Sequence, residues 1–273
     1  MRPRLIATDL DGTLLRPDAT VSPRVGKALQ AAEDAGIRVV ILTARRARSF
    51  LGVIGDAIPR GLAVCSNGAI VFDLATNTTV RSHPFDLPEL RAFLDRASAH
   101  EVAYAWETPD EGFRTGRYHE IANAQEGAPP EYLGMIEVVD DIAEHHVVTK
   151  VLLRHPTLTP DELHELLLPV AGPVSVVISG GPFVEVMASG VSKAFALEQL
   201  CVEYGITSEE VVAIGDHTND LPMLRWAGRG IAMGNAHPSV LAELPERTAT
   251  NSEDGLALVI ESLLDGGTTK PSM

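Results

Sequence analysis

The stretch Leu5-Ile6-Ala7-Thr8-Asp9-Leu10-Asp11-Gly12-Thr13 decides how this chain is read. Leu5–Thr8 is a short apolar run of the kind that forms a strand buried on both faces, and it ends at Asp9. Two carboxylates at i and i+2 just past such a strand face the same space if the chain stays extended, and Gly12 lets the backbone turn away behind them. A lone D-x-D would be an acidic turn, because Asp and Gly favour turns generally. A buried strand leading into D-x-D-G-T makes it a candidate site.

Outward from this stretch the first third alternates strand and helix. Ser22-Pro23 opens a helix, with serine as cap and proline in the first turn. Val25, Leu29, Ala32 and Ala35 keep helical spacing, and Gly36 stops it. Ile37–Leu42 reads as a second buried strand ending at Thr43, and Leu62–Cys65 as a third ending at Ser66-Asn67-Gly68. The last third repeats the rhythm: a helix over Ser192–Tyr204, a strand over Val211–Ile214, a helix over Asp220–Ala227, a strand over Gly230–Met233 and a helix over Gly255–Leu264. Such alternation predicts an α/β fold, a Rossmann-like, doubly wound parallel sheet.

The middle differs. Helices are expected at Leu87–Ala99 and Pro160–Leu168. Strands are expected at Val102–Trp106, Ile136–Val139, Val147–Leu153, Val174–Ile178 and Phe183–Met187, and Pro109–Pro130 shows no readable order. Strands outnumber helices, as in an α+β domain. The expected organisation is a discontinuous α/β domain over 1–83 and 188–273, with an α+β domain inserted over 84–187.

A second acidic constellation, Gly215-Asp216-His217-Thr218-Asn219-Asp220, follows another buried strand. By itself it would serve equally well as a helix-capping loop. Ligand sites in open α/β sheets lie at the carboxyl ends of the strands, so Asp9, Asp11, Asp216 and Asp220 would share one crevice. Four carboxylates at close range are intolerable without a cation, and a hard, oxygen-liganded ion, magnesium most naturally, resolves the conflict. Thr43-Ala44-Arg45 offers a hydroxyl and the start of a helix to a phosphoryl oxygen. Lys193 opens a helix and on its own would be a solvated surface lysine.

These four segments, in this order, resemble the haloacid dehalogenase-like superfamily, and in particular its Cof-like phosphatase branch, whose cap domain is inserted between the second and third motifs. Ser66-Asn67-Gly68-Ala69, Gly230-Ile231-Ala232-Met233-Gly234-Asn235-Ala236 and Asp254-Gly255 after Asn251 add to the resemblance. It implies Asp9 as a nucleophile forming an aspartyl-phosphate and Asp11 as the group that protonates the leaving oxygen and then deprotonates water. It also implies magnesium held by Asp9, the Asp11 carbonyl and Asp216, with Asp220 close by. Thr43 and Lys193 would hold the phosphoryl group, and Arg45, Asn67 and Asn219 would complete the substrate-binding set. His217 stands where the family often has a small residue, and Ala194 where a glycine is common.

The cap of this branch contributes substrate contacts. Within 84–187, a strand over Val147–Arg154 puts Lys150 and Arg154 on one face, where two cations could receive an anionic group or simply line a solvated sheet face. Tyr104, Trp106 and Phe113 could floor a ring, although core packing is the usual fate of such residues. Composition narrows the partners. A net charge of −15 over 273 residues argues against nucleic acid and against a polybasic membrane anchor. No apolar run approaches a membrane span. The expectation is a cytoplasmic enzyme acting on a small phosphorylated metabolite, a sugar phosphate foremost, as a phosphatase. The alternatives are a sugar phosphomutase of the same superfamily or a phospho-accepting signalling protein.

Overall fold

The computed structural model describes residues 2–54, 58–125 and 136–266. It divides into two compact units, one formed by the chain up to Val80 together with the chain from Lys193 onward, the other by Arg81–Ser192.

In the first unit the chain runs through β1 (Leu5–Asp9), α1 (Pro23–Asp34), β2 (Arg38–Leu42), α2 (Ala47–Ile54), β3 (Leu62–Cys65) and β4 (Ile70–Asp73). It leaves through β5 (Thr78–Ser82). α1 forms where the sequence signals it. The Ser22 hydroxyl accepts from Val25 N at 3.0 Å, Val25, Ala28, Leu29 and Ala32 are buried, and Gly36 takes the left-handed backbone (φ +78°) that ends the helix.

The inserted unit contains α3 (Leu87–Ser98), β6 (Ala103–Glu107), β7 (Gly112–Arg114), α4 (Gly116–Ala124), β8 (Ile136–Val138), β9 (Lys150–Arg154), α5 (Pro160–Leu167), β10 (Val174–Val177) and β11 (Val184–Ala188). The chain then completes the first unit with α6 (Lys193–Tyr204), β12 (Val211–Gly215), α7 (Leu221–Trp226), β13 (Arg229–Ala232), α8 (Pro238–Glu243) and α9 (Gly255–Leu264).

The first sheet has the order β13-β12-β1-β2-β3-β4-β5. Its strands from β13 to β3 are parallel, and β4 pairs antiparallel to β3. β1 is therefore central and buried along its whole length, which is why Leu5–Thr8 reads as an unbroken apolar run. The second sheet, β10-β11-β9-β6-β7-β8, is antiparallel except for the parallel β7–β8 pair. One face of it carries an apolar core that includes Leu90, Phe93, Trp106, Val151, Leu163 and Val186. No helix among the described residues is long and apolar enough to cross a membrane.

Two corrections concern elements. The Pro109–Pro130 stretch holds β7 and α4, although its last five residues lie outside the described ones. Among the described residues those that bury there, Gly112–Arg114, Tyr118, Ile121 and Ala122, are too few and too irregularly placed among polar residues to show a period, and Thr115 caps α4 by accepting from Tyr118 N at 3.3 Å. The strand expected from Val147 begins at Lys150. Val148 O and Thr149 N spend their bonds on Phe85 N and Glu107 O, both at 2.8 Å.

Candidate active site

Three adjacent parallel strands build the site. β1 lies between β12 and β2, with Asp9 opposite Leu42 and Thr8 opposite Ile214. Asp9, Thr43 and Asp216 thus leave the sheet side by side at its carboxyl edge, where the main-chain groups of successive strands open toward a ligand.

Asp9, Asp216 and Asp220 each offer a carboxylate oxygen, and those atoms lie within 4.8 Å of one another. Burial pushes the Asp9 carboxyl well above the usual carboxylate range; Lys193 opposes the rise, and Asp220, Asp216 and Asp11 add to it. Burial and then the Asp220 charge push Asp216 up to about 7. The buried Lys193 ammonium donates to Asp9 Oδ1 and, at 2.6 Å, to Asp220 Oδ1. Burial works against its charge, but the two carboxylates outweigh that and hold its pKa above the ordinary value. Lys193 is therefore no surface lysine, and its place at the start of α6 puts it among the acids.

The four expected metal-site residues do not behave alike. Asp220 has both oxygens engaged, Oδ1 by Lys193 and Oδ2 by the backbone N–H groups of Asp216 and His217, each at 3.0 Å. Asp216 Oδ1 accepts from Thr13 Oγ1 at 2.8 Å. Asp9 and Asp216 each keep one carboxylate oxygen off those bonds. The Asp11 side chain stands outside the cluster, which corrects the reading of four converging carboxylates. The fork of Arg45 holds it, with Nε at 2.8 Å from Oδ2 and 3.1 Å from Oδ1, and the terminal nitrogen at 2.7 Å from Oδ1. The three-acid set suits a hard, oxygen-seeking cation.

The close approach depends on two glycines. A Cβ on Gly12, whose φ is +81°, would lie 2.3 Å from Asp216 Oδ2, and one on Gly215 would lie 2.7 Å from Asp220 Cβ.

Thr43 is fully buried, and its hydroxyl accepts from Arg45 N at 3.0 Å. Thr43 O accepts from Asn67 N at 3.0 Å. Asn67 has a left-handed backbone (φ +55°) and accepts from Asn219 Nδ2 at 2.9 Å, so the loops after β2, β3 and β12 are tied together. Residues to which sequence reasoning gave no role also support the loop after β1. Asn235 donates to Gly12 O at 2.8 Å, Asn251 Nδ2 donates to Leu15 O at 2.7 Å, and Arg16 pairs with Asp254 at 2.9 Å. Side-chain amides aimed at carbonyls far along the chain leave no periodic signal.

The two cations of the inserted unit correct another expectation. Lys150 and Arg154 do share a face of β9, but β9 is an interior strand and both are buried. Lys150 Nζ lies 3.0 Å from Glu185 Oε1 and 3.2 Å from Glu107 Oε1. Arg154 donates to Gln125 Oε1 at 2.9 Å and to Tyr118 Oη at 3.3 Å. Neither lines a solvated sheet face. Trp106 and Phe113 stack at 5.6 Å within the core.

Comparison with known proteins gives this arrangement a family. The haloacid dehalogenase-like hydrolases match residues 6–260. The chain is 30% identical to the pyridoxal phosphate phosphatase YbhA of Escherichia coli over 97% of this chain and 100% of that one. It is 31% identical to the 5-amino-6-(5-phospho-D-ribitylamino)uracil phosphatase YitU of Bacillus subtilis, over 94% and 96%. Among solved structures it resembles the phosphatase BT1666 from Bacteroides thetaiotaomicron, with a TM-score of 0.81, 28% identity, and coverage of 96% of this chain and 95% of that one. The chain belongs to the haloacid dehalogenase-like hydrolases. Within them it is a Cof-like phosphatase, an enzyme whose relatives act on small phosphorylated metabolites.

Proposed function

We propose that this chain hydrolyses the phosphate monoester of a small metabolite, a sugar phosphate in particular, with magnesium and through an aspartyl-phosphate on Asp9. The observation that carries this reading is the cluster of Asp9, Asp216 and Asp220, with the buried ammonium of Lys193 bonded to Asp9 and Asp220. Asp9 and Asp216, with the Asp11 carbonyl, would hold the metal, and Asp220 would support Lys193. Magnesium, when bound, supplies positive charge to the phosphoryl oxygens.

The chain's own groups do the rest. Asp9 attacks phosphorus from the end of a rigid central strand, and the P–O bond to the leaving group breaks. Asp11 gives its proton to that oxygen and then takes one from the water that opens the aspartyl-phosphate. Lys193 and Thr43 face the transferring group, where fixed charge and fixed dipoles lower the barrier without reorganisation. The substrates in the names of the E. coli and B. subtilis relatives are small phosphorylated compounds, which supports the same class here. Selection among such compounds is assigned to the inserted unit.

The test is phosphate release from a panel of sugar phosphates, pyridoxal phosphate and other small phosphate esters, with and without magnesium, by wild type and Asp9→Asn. Magnesium-dependent release that Asp9→Asn abolishes is the expected result. Equal release by the variant would remove Asp9 from the chemistry.

A further inference from the structure

The Arg45–Asp11 pair has a geometry that a general phosphate-binding arginine does not need. Asp11 Oδ1 accepts from the terminal nitrogen of the guanidinium at 2.7 Å and Oδ2 accepts from Nε at 2.8 Å, with Nε also 3.1 Å from Oδ1. The fork is itself fixed. Arg45 is largely buried, its N–H is held by Thr43 Oγ1 at 3.0 Å, and its carbonyl accepts from Ser66 N at 2.9 Å. Asp11 is the freer partner, with 45% of its side chain exposed against 11% for Arg45. A rigid, planar donor thus orients the more exposed carboxylate by a bidentate pair.

We propose that Arg45 is the positioning residue of the acid–base group, its fork fixing the direction in which the Asp11 carboxyl faces the reacting oxygen. The proposal rests on the reading of Asp11 as that acid–base. In the first half-reaction the Asp9 carboxylate bonds to phosphorus, the P–O bond to the leaving group breaks, and the Asp11 proton passes to the departing ester oxygen. In the second, water attacks the aspartyl-phosphate, its proton goes to Asp11, and inorganic phosphate and the Asp9 carboxylate are released.

A residue that acts through the general acid matters most when the leaving group needs a proton. Alkoxides leave poorly unless protonated, whereas p-nitrophenolate leaves readily without help. The experiment compares kcat/KM, which reports the step up to formation of the aspartyl-phosphate, for a sugar phosphate and for p-nitrophenyl phosphate. It uses wild type, Arg45→Ala, Arg45→Lys, Asp11→Asn and the double variant Arg45→Ala/Asp11→Asn, all with magnesium. Arg45→Ala is expected to lose about 10²-fold on the sugar phosphate and less than about tenfold on p-nitrophenyl phosphate. Arg45→Lys, which restores one donor, should recover part of the difference. In the Asp11→Asn background the Arg45→Ala change should add almost nothing, as for groups that act as a unit.

Equal losses on the two substrates, with full additivity in the double variant, would overturn the proposal and put Arg45 on the phosphoryl group itself. Failure of the underlying reading looks different: Asp11→Asn would then lose no more on the sugar phosphate than on p-nitrophenyl phosphate, whatever Arg45→Ala does. Should Arg45→Ala fail to fold, the same comparison is made with Arg45→Lys, for which an equal deficit on both substrates is the overturning result.

Discussion

The ammonium of Lys193 lies 2.6 Å from Asp220 Oδ1, and that carboxylate turns its other oxygen to two backbone N–H groups of the loop after β12. One buried side chain thus links the start of α6 to the acidic loop and, through its second bond, to Asp9. Lys193→Met keeps much of the side-chain length and removes the charge. Removing one partner from a buried ion network leaves uncompensated charge and costs about 3–5 kcal/mol. Turnover should fall by ~10²-fold or more, the scale for a preorganised charge stabiliser. Urea denaturation with and without magnesium checks the first expectation: the deficit should be larger without the cation, because the cation compensates the same carboxylates. An undiminished stability in metal-free buffer would show that Asp9 and Asp220 do not depend on Lys193.

Much of this site was legible because its residues sit where the fold makes a pattern. Asp9, Thr43 and Asp216 each terminate an apolar run, and a parallel sheet carries such termini to one edge. The glycines of D-x-D-G-T and Gly215-Asp216 are readable for a related reason, since carboxylates approach closely only where a backbone lacks Cβ. What was not legible depends on side-chain direction. Nothing in the spacing of Asp9 and Asp11 says that Arg45 holds the second carboxylate apart from the cluster. Lys150 and Arg154 were placed on one face by strand alternation, but whether that face is wet depends on what packs against it, and Tyr118, Ile121 and Phe183 cover it around Leu152. β4 went unread; the short apolar run Ile70-Val71-Phe72 fits a strand only once β3 lies beside it.

Stability should respond to pH through the acidic cluster. An acid whose folded pKa lies above its unfolded value favours the folded state while it is protonated. Asp216 stands at about 7 in the fold, against an ordinary value of about 3.9. Its contribution is therefore fully present below about pH 4 and lost as pH rises through about 7, and Asp9 is shifted in the same direction. The metal-free protein should lose melting temperature across that window. Magnesium displaces those protons, so the magnesium-induced rise in melting temperature should be small near about pH 5 and larger near about pH 8. Thermal melts at both pH values, repeated with Asp216→Asn, check this. A magnesium shift that is the same at both, or that survives in the variant, counts against the cluster as the cation site.

Lys150 makes a separate prediction for the inserted unit. Its ammonium is buried between Glu107 and Glu185. Lys150→Met strands two buried carboxylates and should destabilise the protein by about 3–5 kcal/mol. Replacing all three residues, as Lys150→Met with Glu107→Gln and Glu185→Gln, removes every charge together and should return most of that loss. Chemical denaturation followed at Trp106, which is buried in that unit, reads the difference. If the triple variant is no more stable than Lys150→Met, the carboxylates are not balanced chiefly by Lys150.

Gly12 and Gly36 separate backbone strain from site geometry. Their φ values are nearly alike, +81° and +78°, but a Cβ on Gly12 meets Asp216 Oδ2 at 2.3 Å, whereas one on Gly36 meets nothing within 4 Å. An alanine at either position bears a left-handed backbone penalty of about 1–2 kcal/mol. Only Gly12→Ala must also displace the Asp216 carboxylate and, with it, the oxygen offered to a cation. Gly36→Ala should therefore melt earlier but keep the magnesium-induced thermal shift and full turnover in the folded fraction. Gly12→Ala should show a comparable backbone cost together with weakened magnesium dependence and a drop in turnover of ~10-fold or more, the scale for reduced metal affinity or activity when a ligand's supporting geometry is disturbed. Thermal melts across a magnesium titration, run beside phosphate-release assays, distinguish the two. Matching behaviour of the two variants in both measurements would mean that the close approach of the Gly12 backbone to Asp216 has no part in holding the cation.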